Sequence, residues 1–229
     1  MAAIAPEKIR NVAVVGHGGS GKTTLVETLL HVAGATTRLG RVDEGTSTLD
    51  TAPAEQKRRI TSNGASATGT FAGTKINFLD TPGFADFAGD QKAALRVADS
   101  AIVLVDASSG VQVGTRLVWQ DLERQRKPRI AVVGRLDREN ADFDAVLAQL
   151  REAYGIRVVP LHVPVGQHHE LRATIDLLHG TVRTGPRDPI GEMAAADQER
   201  VGEYRRQLVE AIVETREDLL ERYLEGQEL

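Results

Sequence analysis

The chain has 229 residues, of which 41% are hydrophobic, enough for one good core with a small additional subdomain. Its 28 basic and 32 acidic side chains leave a formal charge of -4, so charge gives no reason to expect direct nucleic-acid binding. The absence of cysteine excludes disulfides, thiolate metal sites and cysteine nucleophiles. Because the apolar runs are strand-sized and the N-terminus does not resemble a signal peptide, we expect a cytoplasmic protein without a membrane segment. We also expect a monomer.

The first predicted unit along the chain is a strand, a loop and a helix. Residues 11–15 form an apolar, β-branched run, which is followed by a Gly-rich turn and by a helical pattern that ends at Gly34. From Ala35 to about Ser66 the chain is rich in Thr, Gly, Arg and Asp without sustained periodicity. We interpret this stretch as one long loop, and loops of such length are usually functional or disordered.

Downstream of this loop, apolar strands alternate with amphipathic helices. The strands are KINFLD, AIVLVDA and RIAVVG, and a further helical pattern runs from Asn140 to Gly155. This alternation predicts an α/β fold with a mainly parallel sheet flanked by helices, whose ligands gather at the carboxyl ends of the strands. The pattern changes after about Pro160, so we predict a core of residues 1–159 and a small inserted subdomain with following helices over 160–229.

The turn after the first strand meets the pattern GxxxxGK[ST], with Gly16, Gly21, Lys22 and Thr23 at the fixed positions. Glycines allow successive backbone amides to face phosphate oxygens, Lys22 reaches the β- and γ-phosphates, and the Thr23 hydroxyl binds Mg²⁺. The alternative is a Gly-rich turn without a ligand. The predicted nucleotide-binding residues of this P-loop are Gly16, His17, Gly18, Gly19, Ser20, Gly21, Lys22, Thr23 and Thr24.

Two later clusters also follow predicted strands. In DTPGF, Asp80 is placed to hold magnesium through water, and Gly83 can offer its amide to the γ-phosphate. In GRLD, Asp137 can accept two hydrogens from guanine. Taken alone, the first cluster is an ordinary turn and Asp137 is a helix cap or a loop acid.

The ordered series GHGGSGKTT, RRIT, DTPGFADF and GRLDRE resembles the G domain of the translational GTPases, with elongation factor G and elongation-factor-G-like proteins as the nearest group. The resemblance covers nearly the whole chain and implies a P-loop GTPase core that binds GTP or GDP with Mg²⁺ and acts at the ribosome. It also implies that Thr61 is the threonine that contacts the γ-phosphate and magnesium, within a loop over residues 35–66 that orders with the nucleotide.

The sequence departs from the family pattern at positions that matter for chemistry. The hydrolytic His of the family is Phe84 here, and an acidic P-loop residue is Gly19. The guanine-reading Asn is Gly134, followed by Arg135 in place of Lys, although Asp137 and stacking on the Arg135 stem could still select guanine. Because phosphoryl transfer depends on positioned groups, we expect weak GTP hydrolysis. The chain also ends before the last base-contacting segment of the family.

These observations support a GTP-binding switch of elongation-factor-G type that serves protein biosynthesis. Its catalytic groups would be Thr61 and Gly83, and its magnesium ligands Thr23, Thr61 and Asp80. One alternative is a non-hydrolysing nucleotide-binding or ribosome-docking regulatory module, which Phe84 favours. Another is a P-loop ATPase or small-molecule kinase. The sequence leaves open the step of translation and the choice between guanine and adenine.

Overall fold

In a computed structural model, the described residues are 4–185, 188, 191 and 193–227. They form two compact units, which meet in sequence between Gly134 and Arg135. The sequence-based division at residue 160 differs from this boundary and stays a prediction. Within the described residues, no helix combines the length and the apolarity needed to cross a membrane.

The first unit contains a five-stranded sheet in the order β2-β3-β1-β4-β5. Strands β1, β3, β4 and β5 are parallel, and β2 pairs with β3 in the antiparallel sense. This arrangement confirms the predicted α/β fold. The elements are β1 (Ile9–Gly16), α1 (Lys22–Val32), α2 (Pro53–Arg58), β2 (Ala65–Phe71), β3 (Thr74–Asp80), α3 (Ala88–Val97), β4 (Ser100–Asp106), α4 (Val113–Arg124) and β5 (Arg129–Gly134).

Strand β1 lies at the centre of the first unit. Its residues Ala13, Val14 and Val15 are fully buried, because sheet neighbours flank the strand and helices α1, α3 and α4 contact it. A strand that is buried on both faces reads as a continuous apolar run, which is the pattern seen in the sequence. The parallel register pairs Val14 with Asp80, so the P-loop and the DTPGF turn leave the same edge of the sheet.

The predicted long loop over residues 35–66 is wrong in part, because it contains helix α2 and the start of strand β2. Helix α2 has only six residues, too few for a periodic signal, and it begins at Pro53, a residue suited to a first helical turn. The inward side of β2 is formed by small residues, Ala65, Ala67 and Gly69. Without large apolar side chains in alternation, the strand has no hydrophobic period to recognise.

The second unit contains a separate antiparallel sheet with its own core. Buried side chains of the sheet and of one helix meet there, including Ile175, Leu177 and Leu208. The strand order is β6-β7-β8. The elements are α5 (Phe143–Tyr154), β6 (His162–Val165), β7 (Ala173–Asp176), β8 (Thr181–Arg183), α6 (Ala195–Val213) and α7 (Glu217–Leu224).

Candidate nucleotide-binding site

The P-loop has the backbone that a phosphate-binding turn requires. Gly16 has φ +145°, and a Cβ there would lie 2.4 Å from the carbonyl oxygen of Leu104. Gly21, with φ +98°, precedes the first turn of α1 and has no side chain to compete for the amides of that turn. Lys22 is buried, and its Nζ donates to the carbonyl of His17 at 2.9 Å and to that of Gly16 at 3.3 Å. The loop thus wraps around the lysine ammonium.

The other P-loop residues differ in backbone conformation and in the surroundings of their side chains. Gly19 has φ +76°, a conformation that favours glycine over the acidic residue of the family pattern. The buried Ser20 hydroxyl has no hydrogen-bond partner among the described residues. The His17 side chain lies against the start of α4, where a Cβ on Gly114 would approach its Nδ1 to 2.7 Å. Thr24 is exposed.

The structure brings Thr23, Thr61 and Asp80 together with Asp50 in one cluster, called the oxygen cluster below. Thr23 Oγ1 donates to Asp80 Oδ2 at 2.7 Å and lies 2.8 Å from Thr61 Oγ1. Thr61 Oγ1 donates to Asp50 Oδ1 at 2.9 Å. The four side chains come from α1, from β3 and from the two ends of the segment around α2.

The oxygen cluster has fewer hydroxyl hydrogens than short oxygen–oxygen contacts. Three short oxygen–oxygen contacts join Asp80, Thr23, Thr61 and Asp50, but the two hydroxyls supply only two hydrogens. With both carboxyl groups ionised, one contact would bring lone pairs together. A proton on a carboxyl group, or a cation among the oxygens, removes this conflict.

Two further features fit a hard cation at the oxygen cluster. Asp80 Oδ1 and Asp50 Oδ2 are buried, and neither has a hydrogen-bond partner in the described part of the chain. The donor set consists only of oxygen atoms, which Mg²⁺ prefers. Clusters of three or more His, Cys, Asp and Glu that could hold a metal are absent from the described residues. The oxygen cluster has two carboxylates and two hydroxyls, so the fit to Mg²⁺ rests on these four groups.

The carboxyl groups of the oxygen cluster are electrostatically strained in their ionised form. Burial raises the pKa of Asp80 to about 6, although the Thr23 hydrogen bond and the Lys22 charge act in the opposite direction. Burial also raises the pKa of Asp50, against the effect of its hydrogen bond from Thr61. Perturbed pKa values of this kind cluster at functional sites.

Asp50 was not identified from the sequence. It lies in the predicted loop, where acids are common and usually solvated, yet only 3% of it is exposed. A local signal existed in the preceding residue, because Leu49 is an apolar residue in a polar loop. Leu49 packs in the core beside Val26 and Leu30 of α1. An isolated apolar residue in a long polar loop can indicate a packed anchor.

Glu55 holds the chain immediately after Thr61. Its Oε1 accepts hydrogen bonds from the amides of Ser62 and Asn63, both at 2.9 Å, and also from their side chains. Its Oε2 accepts from the Ala52 amide at the start of α2. Burial raises the pKa of Glu55, but these hydrogen bonds outweigh burial and leave the pKa below its ordinary value. Helix α2 therefore fixes Thr61 through a charged acceptor.

The DTPGF turn closes over the P-loop. Thr81 anchors it by donating to the Val14 carbonyl at 2.8 Å. A Cβ on Gly83 would lie 2.3 Å from Lys22 Nζ and 2.7 Å from the Gly18 amide nitrogen, so only glycine fits. The ring of Phe84 covers Gly18, where a Cβ would lie 2.8 Å from ring carbons. Phe84 brings an apolar ring to the rim of the P-loop and has no group that handles protons.

The predicted base-reading residues lie at the end of β5 and beyond it. Gly134 ends this strand, and its carbonyl accepts from the Ala107 amide at 2.9 Å. Arg135 has φ +61°, and its carbonyl accepts from the Arg138 amide. Arg135 and Asp137 belong to the second compact unit. Their contact with a base stays a prediction.

Comparison with known proteins identifies relatives of this site and fold. Residues 7–224 match the family model described as the elongation factor Tu GTP binding domain. A crystal structure from Thermus thermophilus matches with a TM-score of 0.89 and 43% sequence identity. The match covers 96% of this chain and 33% of that chain, so this chain spans about a third of the length of the solved protein.

Proposed function

Because the chain belongs to the elongation factor Tu GTP-binding-domain family, the G domains of translational GTPases, we propose that it is a guanine-nucleotide switch of elongation-factor-G type. The observation that carries the proposal is the oxygen cluster beside Lys22. Lys22 and Thr23 open α1, and Asp80 ends β3. Thr61 contacts Thr23 and Asp50 from a separate segment. A switch needs this arrangement, because a threonine from a separate segment can contact the ligand that the phosphate loop binds.

In the proposed complex, the P-loop amides and Lys22 bind the phosphates of GTP or GDP. Mg²⁺ would be held by Thr23, Thr61, Asp80 and Asp50, directly or through water. Bound there, the ion neutralises charge on the phosphate oxygens. A Cβ on Gly83 would lie 2.3 Å from Lys22 Nζ, so the Gly83 backbone comes close to the lysine, and its amide would bind the γ-phosphate. Base selection for guanine is assigned to Asp137 with the stem of Arg135.

The proposed partner is the ribosome, and the proposed role is in translation, in the cytoplasm. This part of the proposal follows from membership of the family and from the sequence resemblance to elongation factor G.

Nucleotide binding is tested by titration with a fluorescent GTP analogue in the presence of Mg²⁺. We expect micromolar binding that GTP and GDP compete away and ATP does not, and we expect Lys22→Ala to abolish it. Lys92→Ala removes an exposed lysine of α3 and serves as the matched control. Equal binding by wild type and Lys22→Ala would refute the site, and ATP preference would favour an ATPase or a kinase.

Hydrolysis is proposed to be weak because Phe84 stands where a water-positioning histidine is needed. The test is multiple-turnover phosphate release with and without ribosomes. We expect Phe84→His to raise the ribosome-stimulated rate by about tenfold or more, since positioned acid–base groups typically contribute that much. A fast wild-type rate that Phe84→His does not change would contradict this part of the proposal.

The second candidate function is a non-hydrolysing ribosome-docking or regulatory module. The observation that favours it is the apolar ring of Phe84, which covers Gly18 of the P-loop. The same phosphate-release assay separates the two functions. Ribosome-stimulated turnover that Thr61→Ala abolishes would eliminate the second candidate. Nucleotide-dependent ribosome binding without turnover would support it.

A further inference from the structure

Glu27 is a fully buried carboxylate that the proposed nucleotide site does not use. It lies on α1 one helical turn after Thr23, so both side chains leave the same face of the helix. Its Oε1 accepts from the Thr48 amide at 2.6 Å, from the Ser47 hydroxyl at 2.8 Å and from the Thr48 hydroxyl at 2.9 Å. The Leu49 amide lies 3.3 Å from the same oxygen. One oxygen thus gathers three consecutive residues.

These three residues lead directly into the oxygen cluster. Ser47 Oγ also accepts from the amides of Leu49 and Asp50, at 3.1 and 3.2 Å, which fixes the turn that aims Asp50 inward. Leu49 is buried in the core beneath α1, so an apolar anchor reinforces the polar one. Asp50 then accepts the hydrogen bond of Thr61.

We propose that Glu27 is a positioning residue, whose carboxylate holds Ser47, Thr48 and Leu49 on α1 and thereby keeps Asp50 and Thr61 at the oxygen cluster. Helix α1 carries Lys22 and Thr23 at its first turn and Glu27 at its second. The helix that binds phosphate therefore also determines the position of the loop. This inference deepens the proposed function and rests on it only where nucleotide affinity is concerned.

A substitution at Gly40 offers an independent way to disturb the contact between Glu27 and residues 47–49. A Cβ built on this buried glycine would lie 2.3 Å from Glu27 Oε2 and 2.6 Å from its carboxyl carbon. Gly40 does not have the positive φ that would make alanine strained there. Gly40→Ala should therefore displace the carboxylate while leaving Glu27 itself in the chain.

The first test measures the loop without nucleotide. Trypsin can cut the loop that precedes Ser47 at the exposed residues Arg38 and Arg41. The exposed Arg126 lies outside this loop, and cleavage there serves as an internal reference. We expect the ratio of the cleavage rates, loop to reference, to rise about tenfold in Glu27→Ala, because the hydrogen bonds to the buried Glu27 side chain hold residues 47–49 on α1. Glu27→Gln keeps one acceptor oxygen and should give a smaller rise. Gly40→Ala should resemble Glu27→Ala.

The matched control is Thr28→Ala, which changes the exposed neighbour of Glu27 on the same helix. It should leave the cleavage ratio at the wild-type value. Wild-type ratios in Glu27→Ala, Glu27→Gln and Gly40→Ala alike would overturn the proposal. A rise of equal size in Thr28→Ala would overturn it as well, since the effect would then belong to the helix and not to the carboxylate.

The second test separates positioning from general loss of structure. Affinities for GDP and for a non-hydrolysable GTP analogue are measured with Mg²⁺ in each variant. Because Lys22 and Thr23 serve both nucleotides, whereas Thr61 serves the triphosphate, we expect Glu27→Ala to weaken triphosphate preference about tenfold. An equal loss for both nucleotides would overturn the proposal. If the wild type bound neither nucleotide, the proposed function would fail, and the cleavage ratio would still decide the role of Glu27.

Discussion

Asp80 is buried among oxygen atoms, and this environment determines the pH range in which its carboxyl group is protonated. Its carboxyl group lies beside Lys22, yet desolvation outweighs that charge and the pKa rises to about 6. For an acid, a raised pKa in the folded chain means that ionisation opposes folding. The stabilising contribution of Asp80 is therefore complete below its ordinary pKa and is lost as pH rises through about 6.

We therefore predict that, in a chelating buffer, the free energy of unfolding falls between about pH 4 and 6 by up to about 1.4 kcal/mol per pH unit relative to Asp80→Asn. Added Mg²⁺ should restore stability above pH 6 in the wild type and not in the variant. Urea denaturation at several pH values measures this difference. Parallel pH profiles of wild type and Asp80→Asn would contradict it.

The segment around helix α2 is held by an acidic side chain at each of its ends. Glu27 holds its beginning and Glu55 its end, through hydrogen bonds to backbone amides at 2.6 to 2.9 Å. Hydrogen bonds to an ionised acceptor are stronger than neutral ones. Leu49 packs in the core beside the first of these contacts, so a release that leaves the core intact is limited to the residues after Leu49.

For Glu55→Gln we predict a loss of about 1–3 kcal/mol in the free energy of unfolding at pH 7, because the charged acceptor for Ser62 and Asn63 is removed. The lowered pKa of Glu55 means that its contribution is present above its ordinary pKa and is lost as pH falls through the folded value. The difference from wild type should therefore shrink in acid. Urea denaturation at pH 7 and in acid measures it.

The control for this prediction is Glu44→Gln, which changes an exposed acid in the same loop. Its ion pair with Arg41 is 3.5 Å long and solvated on both sides, so we expect a change within about 0.5 kcal/mol. A Glu55→Gln variant as stable as this control at pH 7 would show that the carboxylate does not hold the segment.

The hairpin between β2 and β3 turns through two residues of positive φ, Ala72 at +47° and Gly73 at +75°. Such turns suit the twist of a hairpin, but alanine pays a steric cost in this conformation. We predict that Ala72→Asn raises the free energy of unfolding by about 0.5–1 kcal/mol, since Asn tolerates positive φ. Thermal denaturation checks this, and a lower melting temperature would contradict it.

At the scale of the whole molecule, each compact unit has its own sheet and its own buried cluster. In the second unit, Ile175 of β7 and Leu177, which follows that strand, pack with Leu208 of α6 in a cluster separate from that of the first unit. The sequence shows little of this, because strands β6 to β8 have only three or four residues each. Segments so short have no measurable period.

We predict that Leu208→Ala lowers the free energy of unfolding by about 2–5 kcal/mol, the usual cost of a cavity at a buried leucine. Leu224→Ala makes the same chemical change at a residue of α7 that is 76% exposed, and it should cost less than about 0.5 kcal/mol. Far-UV circular dichroism during urea denaturation compares the two. Equal losses would mean that Leu208 is not part of a core.

The sequence by itself determined the α/β fold, the P-loop and the family, because these depend on local signals: apolar runs in alternation with amphipathic helices, and fixed spacings of Gly, Lys, Thr and Asp. It also predicted Thr61 and Asp80 as site residues, although only the fold placed their oxygens in one cluster with Thr23. The burial and the contacts of Asp50, Glu27 and Glu55 were decided by the tertiary structure alone. Their roles depend on burial and on partners distant in sequence, and an acid in a polar loop or on a helix looks solvated until its neighbours are known.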